Sequence, residues 1–118
     1  MNITITAQTI HLSPELKSYI EKRMRGLTRF TSGNPVVTVE VGKMTMHHHH
    51  GDVFEAKVML RTLLGQEYYA TSQKADLYEA IDDVRDELMR LLTADKKKHD
   101  TLWRRGARKI KRIIKGFQ

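Results

Sequence analysis

The spacing of apolar residues along this chain switches between two and about 3.6, and that order limits the folds open to it more than any single motif does. Ile3 and Ile5 alternate with Thr4 and Thr6 over Asn2 to Ala7, which predicts a short half-buried strand. Ser13-Pro14 then gives an N-cap and first-turn signal, and Leu16, Ile20, Met24 and Leu27 recur at helical spacing, predicting a helix over about 13–29. After a turn at Thr31 to Pro35, Val37, Val39 and Val41 alternate with Thr38 and Glu40, predicting a second strand that runs to about Met46. Gly51-Asp52 marks a reversal into a third strand with Phe54, Ala56, Val58 and Leu60 on one side. Gly65 opens a hairpin into a fourth strand over Glu67 to Ser72. Asp76 precedes Leu77, Ile81, Val84, Leu88 and Leu91, a stripe that predicts a second helix ending beyond Leu92. The order is β-α-β-β-β-α, an α+β class. Two one-sided helices are buried most simply side by side on one face of a four-stranded sheet.

With 118 residues, 40% hydrophobic and 30% charged, the chain fits one compact domain rather than a multidomain machine or a wholly disordered segment. It has no Cys, hence no disulfide framework, zinc-finger ligand set or thiol nucleophile. No apolar run approaches the roughly 18 residues of a membrane span, and Met1 to Thr6 lack the parts of a signal peptide, so a cytoplasmic protein is expected.

The net charge of +7 is unevenly placed. From Lys96 onward, ten bases face the single acid Asp100, a net +9, while residues 1–95 hold eleven bases against thirteen acids, a net −2. This divides the chain into a body, 1–95, and a basic extension, 96–118. In the extension Leu102, Trp103, Ala107, Ile110, Ile113, Ile114 and Phe117 recur at near-helical intervals, with Gly106 as a possible break. Such a segment forms a third amphipathic helix, or becomes helical on its partner. Nucleic acid, a membrane surface and self-association through the isoleucines all fit it.

A second basic group falls within the first helix, where Lys22, Arg25 and Arg29 lie roughly opposite Leu16 on a helical wheel, and Arg23 borders the apolar stripe and must snorkel. Two basic patches favour a polyanion, because each phosphate neutralised releases counterions. His47 to His50 invite a metal, but in an extended run alternate rings point to opposite faces and no Cys or nearby acidic cluster completes a shell. A solvated hairpin is the expectation, and no metal or cofactor is assigned. Glu79, Asp82, Asp83, Asp86 and Glu87 on the second helix read as a charged outer face that pairs with bases of the first, rather than as a magnesium or acid–base site. Tyr68 and Tyr69 must face opposite sides of the fourth strand, Tyr68 toward the core and Tyr69 toward solvent, where it could stack on a nucleotide. No Gly-rich phosphate loop or nucleophile motif occurs, so no enzyme is expected and no small-molecule substrate.

The ordered set Asn2-Ile3-Thr4, Ser13-Pro14-Glu15-Leu16, Val39-Glu40-Val41-Gly42-Lys43, His47 to Ala56 and Asp76-Leu77-Tyr78-Glu79-Ala80-Ile81-Asp82 resembles the ribosome hibernation promoting factor family. That family is also known as ribosome-associated inhibitor A or sigma-54 modulation protein, and the resemblance covers about residues 2–98. It implies a fold similar to double-stranded-RNA-binding domains, seated in the small ribosomal subunit where messenger and transfer RNAs bind. It also implies a non-enzymatic role: translation blocked by steric exclusion, and idle ribosomes kept inactive in stress or stationary phase. The implied partners are the small subunit, its rRNA and the whole ribosome, with the chain monomeric when free and no membrane involved. Positions matching the family's RNA-contacting bases are Arg23, Arg90, Lys96, Lys97 and Lys98; Lys22, Arg25 and Arg29 join them from the wheel. Long members carry a further dimerising domain for which 118 residues leave no room, so direct pairing of ribosomes is not expected. The short members end in a brief or acidic tail, unlike the +9 segment here. A generic RNA-binding module and a modulator of a sigma factor are the rival expectations.

Overall fold

The computed structural model describes the backbone of residues 1–44 and 51–116, and the side chains of 1–44 and 51–96. His47 to His50, the expected end of the second strand at Met46, and the side chains of Lys97 and Lys98 lie outside the described residues. The elements are β1 (Asn2–Gln8), α1 (Pro14–Arg25), a 3-10 turn (Gly26–Phe30), β2 (Val36–Met44), β3 (Val53–Arg61), β4 (Glu67–Lys74) and α2 (Leu77–Gly116). The α+β order read from the periodicities is present, with both helices on one face of a four-stranded sheet.

The sheet order is β1-β2-β3-β4, with β1 parallel to β2 and the other pairs antiparallel. Parallel neighbours need a crossover, and α1 supplies it. Register places Ile3, Val37, Leu60 and Tyr68 in one row across the sheet, then Ile5, Val39, Val58 and Ala70, then Ala7, Val41, Ala56 and Ser72. The first two rows and most of the third are the alternate residues that the period-two pattern assigned to the core. Against them lie Leu16, Ile20, Met24 and Leu27 from the first helix and its extension, and Leu77, Ala80, Ile81, Val84, Leu88 and Leu92 from α2, all buried. Burial of a single Leu or Ile side chain contributes about 1.5–3 kcal/mol. Both helices are therefore anchored by their stripes, and their outer faces are free to differ. At Gly42 β1 and β2 leave no room for a side chain, since a Cβ there would come within 2.8 Å of the Gln8 carbonyl oxygen.

Both helix starts follow their signals. Ser13 Oγ accepts the Leu16 N–H at 3.1 Å, and Asp76 Oδ1 accepts the Tyr78 N–H at 3.0 Å, so each cap satisfies a donor that the first turn leaves unpaired. The first helix is not one α-helix over 13–29. It tightens into the 3-10 turn at Gly26, where Thr28 Oγ1 donates to the Arg25 carbonyl at 2.8 Å. That turn still buries Leu27 completely and leaves Phe30 half-buried against the core. The second helix runs on through Gly106 to Gly116, so the division drawn between residues 95 and 96 falls inside a helix. Among the described residues no helix is long and apolar enough to cross a membrane.

Candidate nucleic-acid interface

Helix α1 presents its bases to solvent because its apolar stripe fixes its rotation on the sheet. Lys17, Lys22 and Arg25 are exposed on α1, and Arg29 is exposed on the 3-10 turn that follows. None of these four has an acidic partner among the described residues. Lys22 and Arg25 stand three apart, one turn of helix, and cations in a last turn also suit the helix dipole. The result is a run of uncompensated positive charge on an outer surface, a form suited to phosphates.

Arg23 differs. Its Nε lies 3.0 Å from Asp82 Oδ1 on α2 and donates to the Tyr19 hydroxyl at 3.2 Å, while that hydroxyl donates to Asp82 Oδ1 at 2.6 Å. The guanidinium stands 5.2 Å from the centre of the Tyr19 ring, and Tyr19 meets Tyr78 edge-on at 4.8 Å and 70°. The four side chains form a clasp across the α1–α2 seam. The Tyr19 phenol is pushed up, first by the hydrogen bond it gives to Asp82 and then by burial, and the Arg23 guanidinium is held more firmly charged by Tyr19 and Asp82. The expected pairing of α2 acids with α1 bases is thus realised at this one pair. With side chains 40% and 42% exposed, the pair adds little to stability and mainly fixes where Arg23 points.

The outer face of α2 is built the other way. Arg90 is 68% exposed but its Nη2 lies 2.5 Å from Glu87 Oε1, three residues away, which raises its basicity further. Asp83 accepts from Ser72 at 2.9 Å and lies 3.3 Å from Lys74, and these two groups, Ser72 foremost, hold its carboxyl below the usual range. Asp86 takes Arg85 at 2.8 Å. Arg85 Nε is buried with no partner, a detail no sequence pattern announces. The carboxylate density of α2 is therefore largely spent inside the molecule, and among the described residues no group of three or more His, Cys, Asp or Glu is placed to hold a metal ion. Lys96 is exposed at the end of the described side chains.

The two tyrosines of β4 face opposite sides of the sheet. Tyr68 is packed against the core and donates to Asp95 on α2; burial and that hydrogen bond push its phenol up to about 12. Tyr69 is 63% exposed on the open face, where its hydroxyl donates to Glu67 at 2.5 Å. The hydrogen bonds that these tyrosines give to carboxylates each raise the phenol pKa and so hold the hydroxyl protonated. What the surface offers is charge and shape. Sequence reasoning named the bases but not the Tyr19–Tyr78 contact that braces Arg23. The i,i+4 spacings Tyr19–Arg23 and Tyr78–Asp82 were the available signal.

A family model described as sigma 54 modulation protein / S30EA ribosomal protein matches residues 3–100. Among solved structures, the N-terminal domain of Protein Y from Thermus thermophilus is similar, at 25% identity with a TM-score of 0.66, covering 78% of this chain and 96% of that one. A ribosomal subunit interface protein from Coxiella burnetii shares the fold at 18% identity with a TM-score of 0.67, covering 82% of this chain and 99% of that one. No curated protein matches the chain. Helix caps, mixed sheet, two-helix layer and a match over nearly the whole described body agree: the chain belongs to the sigma 54 modulation protein / S30EA ribosomal protein family, the family of the ribosome hibernation factors.

Proposed function

We propose that this protein is a cytoplasmic hibernation factor that binds the small ribosomal subunit through rRNA phosphates and keeps idle ribosomes inactive by occupying the channel of messenger and transfer RNA. The observation that carries the proposal is the exposed row Lys22, Arg25 and Arg29, without acidic partners among the described residues, on a helix and following turn whose inner face is locked to the core. Family membership and the likeness to a ribosomal subunit interface protein and to Protein Y support the ribosome as the polyanion. Arg23, set by Tyr19 and Asp82, adds a directed guanidinium, and Lys96 adds exposed charge beside Arg29, whereas Arg90 is held by Glu87. Inhibition needs no chemistry on this account, because a domain wedged in the channel excludes its ordinary occupants.

The basic extension 96–118 acts as a second, electrostatic arm along rRNA. Its ten bases against one acid are far more than solubility requires. Each phosphate neutralised contributes about 0.9 to the slope of log affinity against log salt on duplex nucleic acid and about 0.7 on single strands. A chain ending at Lys96 should sediment with ribosomes more weakly than the full chain and with a flatter salt dependence. Equal affinity and equal slope would remove the arm from the account. The body is tested by sedimentation of purified protein with ribosomes in sucrose gradients over a salt series. Comigration with the small subunit or whole ribosome, lost at high salt, is the expected outcome; protein that stays at the top of the gradient at low salt refutes ribosome binding.

A further inference from the structure

At the end of the domain where α2 leaves the sheet, the loop after the 3-10 turn, the β3–β4 hairpin and α2 enclose a cavity of about 380 Å³. Its walls include Phe30, Leu63, Leu64 and Leu92, and its rim carries Arg29 and Lys96. The hairpin is closed by backbone bonds from Thr62 N–H to the Gln66 carbonyl and from Gly65 N–H to the Thr62 carbonyl, a tight turn for which polar residues serve as well or better. Yet the two residues between are leucines, 74% and 85% exposed. Nothing in the fold requires both. Leu63 lies close to Gly33 of the neighbouring loop, whose φ of 74° and lack of a side chain allow the approach, since a Cβ there would come within 3.0 Å of Leu63 Cδ2.

Adjacent exposed leucines beside an apolar hollow with a polar rim have the composition of a docking surface for protein. The volume falls within the roughly 300–1,000 Å³ range of binding pockets. Charge sets the occupant's sign. Among the described residues Arg29 has no acidic partner and Lys96 is exposed, so the two cations on this rim outnumber its one carboxylate, Asp95. Branched aliphatic side chains are poor platforms for nucleobases, which stack on aromatic or guanidinium planes. We infer that this end cavity docks a peptide segment of a protein partner: an apolar anchor side chain seated among Phe30, Leu63, Leu64 and Leu92, flanked by carboxylates that meet Arg29 and Lys96. The surface shares Arg29 and Lys96 with the proposed rRNA-binding set but goes beyond the ribosomal reading, because its partner is a protein and its energy is mainly apolar burial.

The test selects a library of random peptides of about twelve residues on the full chain, with counter-selection on the Leu63→Ser/Leu64→Ser variant. Both leucines are exposed, so the variant should keep the wild-type circular dichroism spectrum. The expected result is enrichment of peptides that combine a large apolar residue with Asp or Glu, bound at least tenfold more weakly by the double serine variant and several-fold more weakly by Lys96→Glu. No enrichment over the counter-selection, enrichment of basic peptides, or affinity untouched by the serine changes would overturn the inference. So would a short oligoribonucleotide whose binding is lost in the double serine variant, since the cavity would then be a nucleotide site. No ribosome enters this experiment, so its outcome and that of the sedimentation experiment stand or fall separately.

Discussion

The outer faces of α1 and α2 are both crowded with charge, yet they differ in what that charge is free to do. On α1 and the turn after it, Lys17, Lys22, Arg25 and Arg29 stand without carboxylate partners among the described residues. On α2 between Leu77 and Asp95, six acids outnumber two bases, and both of those bases, Arg85 and Arg90, are taken by neighbouring acids. A count of cations per helix would rank the faces by number alone. Pairing ranks them by availability, and for counterion release only available charge matters. Arg23 lies between the two cases: a base of α1 held by an acid of α2, so that any phosphate reaching it competes with Asp82.

The contrast can be broken most severely on α1. Reversing Lys22, Arg25 and Arg29 to Glu should lower ribosome affinity by more than a hundredfold near 0.1 M salt, read by cosedimentation, with the thermal transition left close to wild type because all three side chains are exposed. Retained binding would move the interface elsewhere. Stability, in contrast, rests on the inner faces, where Leu88→Ala should cost about 2–5 kcal/mol in denaturant unfolding, as for other fully buried leucines. A cost below 1 kcal/mol would mean that α2 is not anchored as described. Next in size is Asp82→Asn, which weakens the hold on Arg23 while keeping the shape of the clasp. It should raise ribosome affinity by about two- to fivefold through release of a cation. A fall in affinity would instead make the placement of Arg23 by Asp82 the dominant contribution.

The smallest effect is one of pH. Asp83 is held below the usual carboxylate range by Ser72 and Lys74, so its folded form binds a proton less readily than its unfolded form. Its contribution is present above the ordinary carboxylate pKa and is lost as pH falls through the folded value. Asp83→Asn should therefore flatten the acid side of the Tm–pH curve below about pH 4 and leave the neutral side unchanged. Glu67, lowered by Tyr69 and Arg61, keeps a slope of the same sign, so the flattening is partial. An unaltered acid limb would show that the Ser72 and Lys74 contacts do not persist in solution.

Much of the fold is visible in residue spacing, because strands and helices that each bury one face must repeat every two or every 3.6 residues. Val37, Val39 and Val41, and Leu77, Ile81, Val84 and Leu88, occupy the core positions that their periods predict. Leu91 is only half-buried, and Leu92 takes the buried place one step on, a phase drift that a stripe of leucines conceals. The change to 3-10 geometry at Gly26 was hidden, since Leu27 keeps its burial either way. The site was partly visible: exposure of Lys22, Arg25 and Arg29 followed from the wheel, as did the edge position of Arg23. Which acid would hold which base was not, because Arg23 and Asp82, 59 residues apart in sequence, meet only after the two helices are laid side by side. The meeting of Arg29 with Lys96 around Leu63 and Leu64 was hidden for the same reason. Local periodicity says which face is out, and only topology says what faces it.

One comparison measures the difference between available and spent charge on the two helices. Salt slopes of ribosome binding would be taken for the wild type, for Lys22→Gln/Arg25→Gln and for Arg85→Gln/Arg90→Gln, each variant losing two cations. A drop of about 1.4–1.8 in the slope for the α1 pair, with little change for the α2 pair, is the predicted result. Equal slopes for the two variants, or the larger drop for the α2 pair, would contradict it.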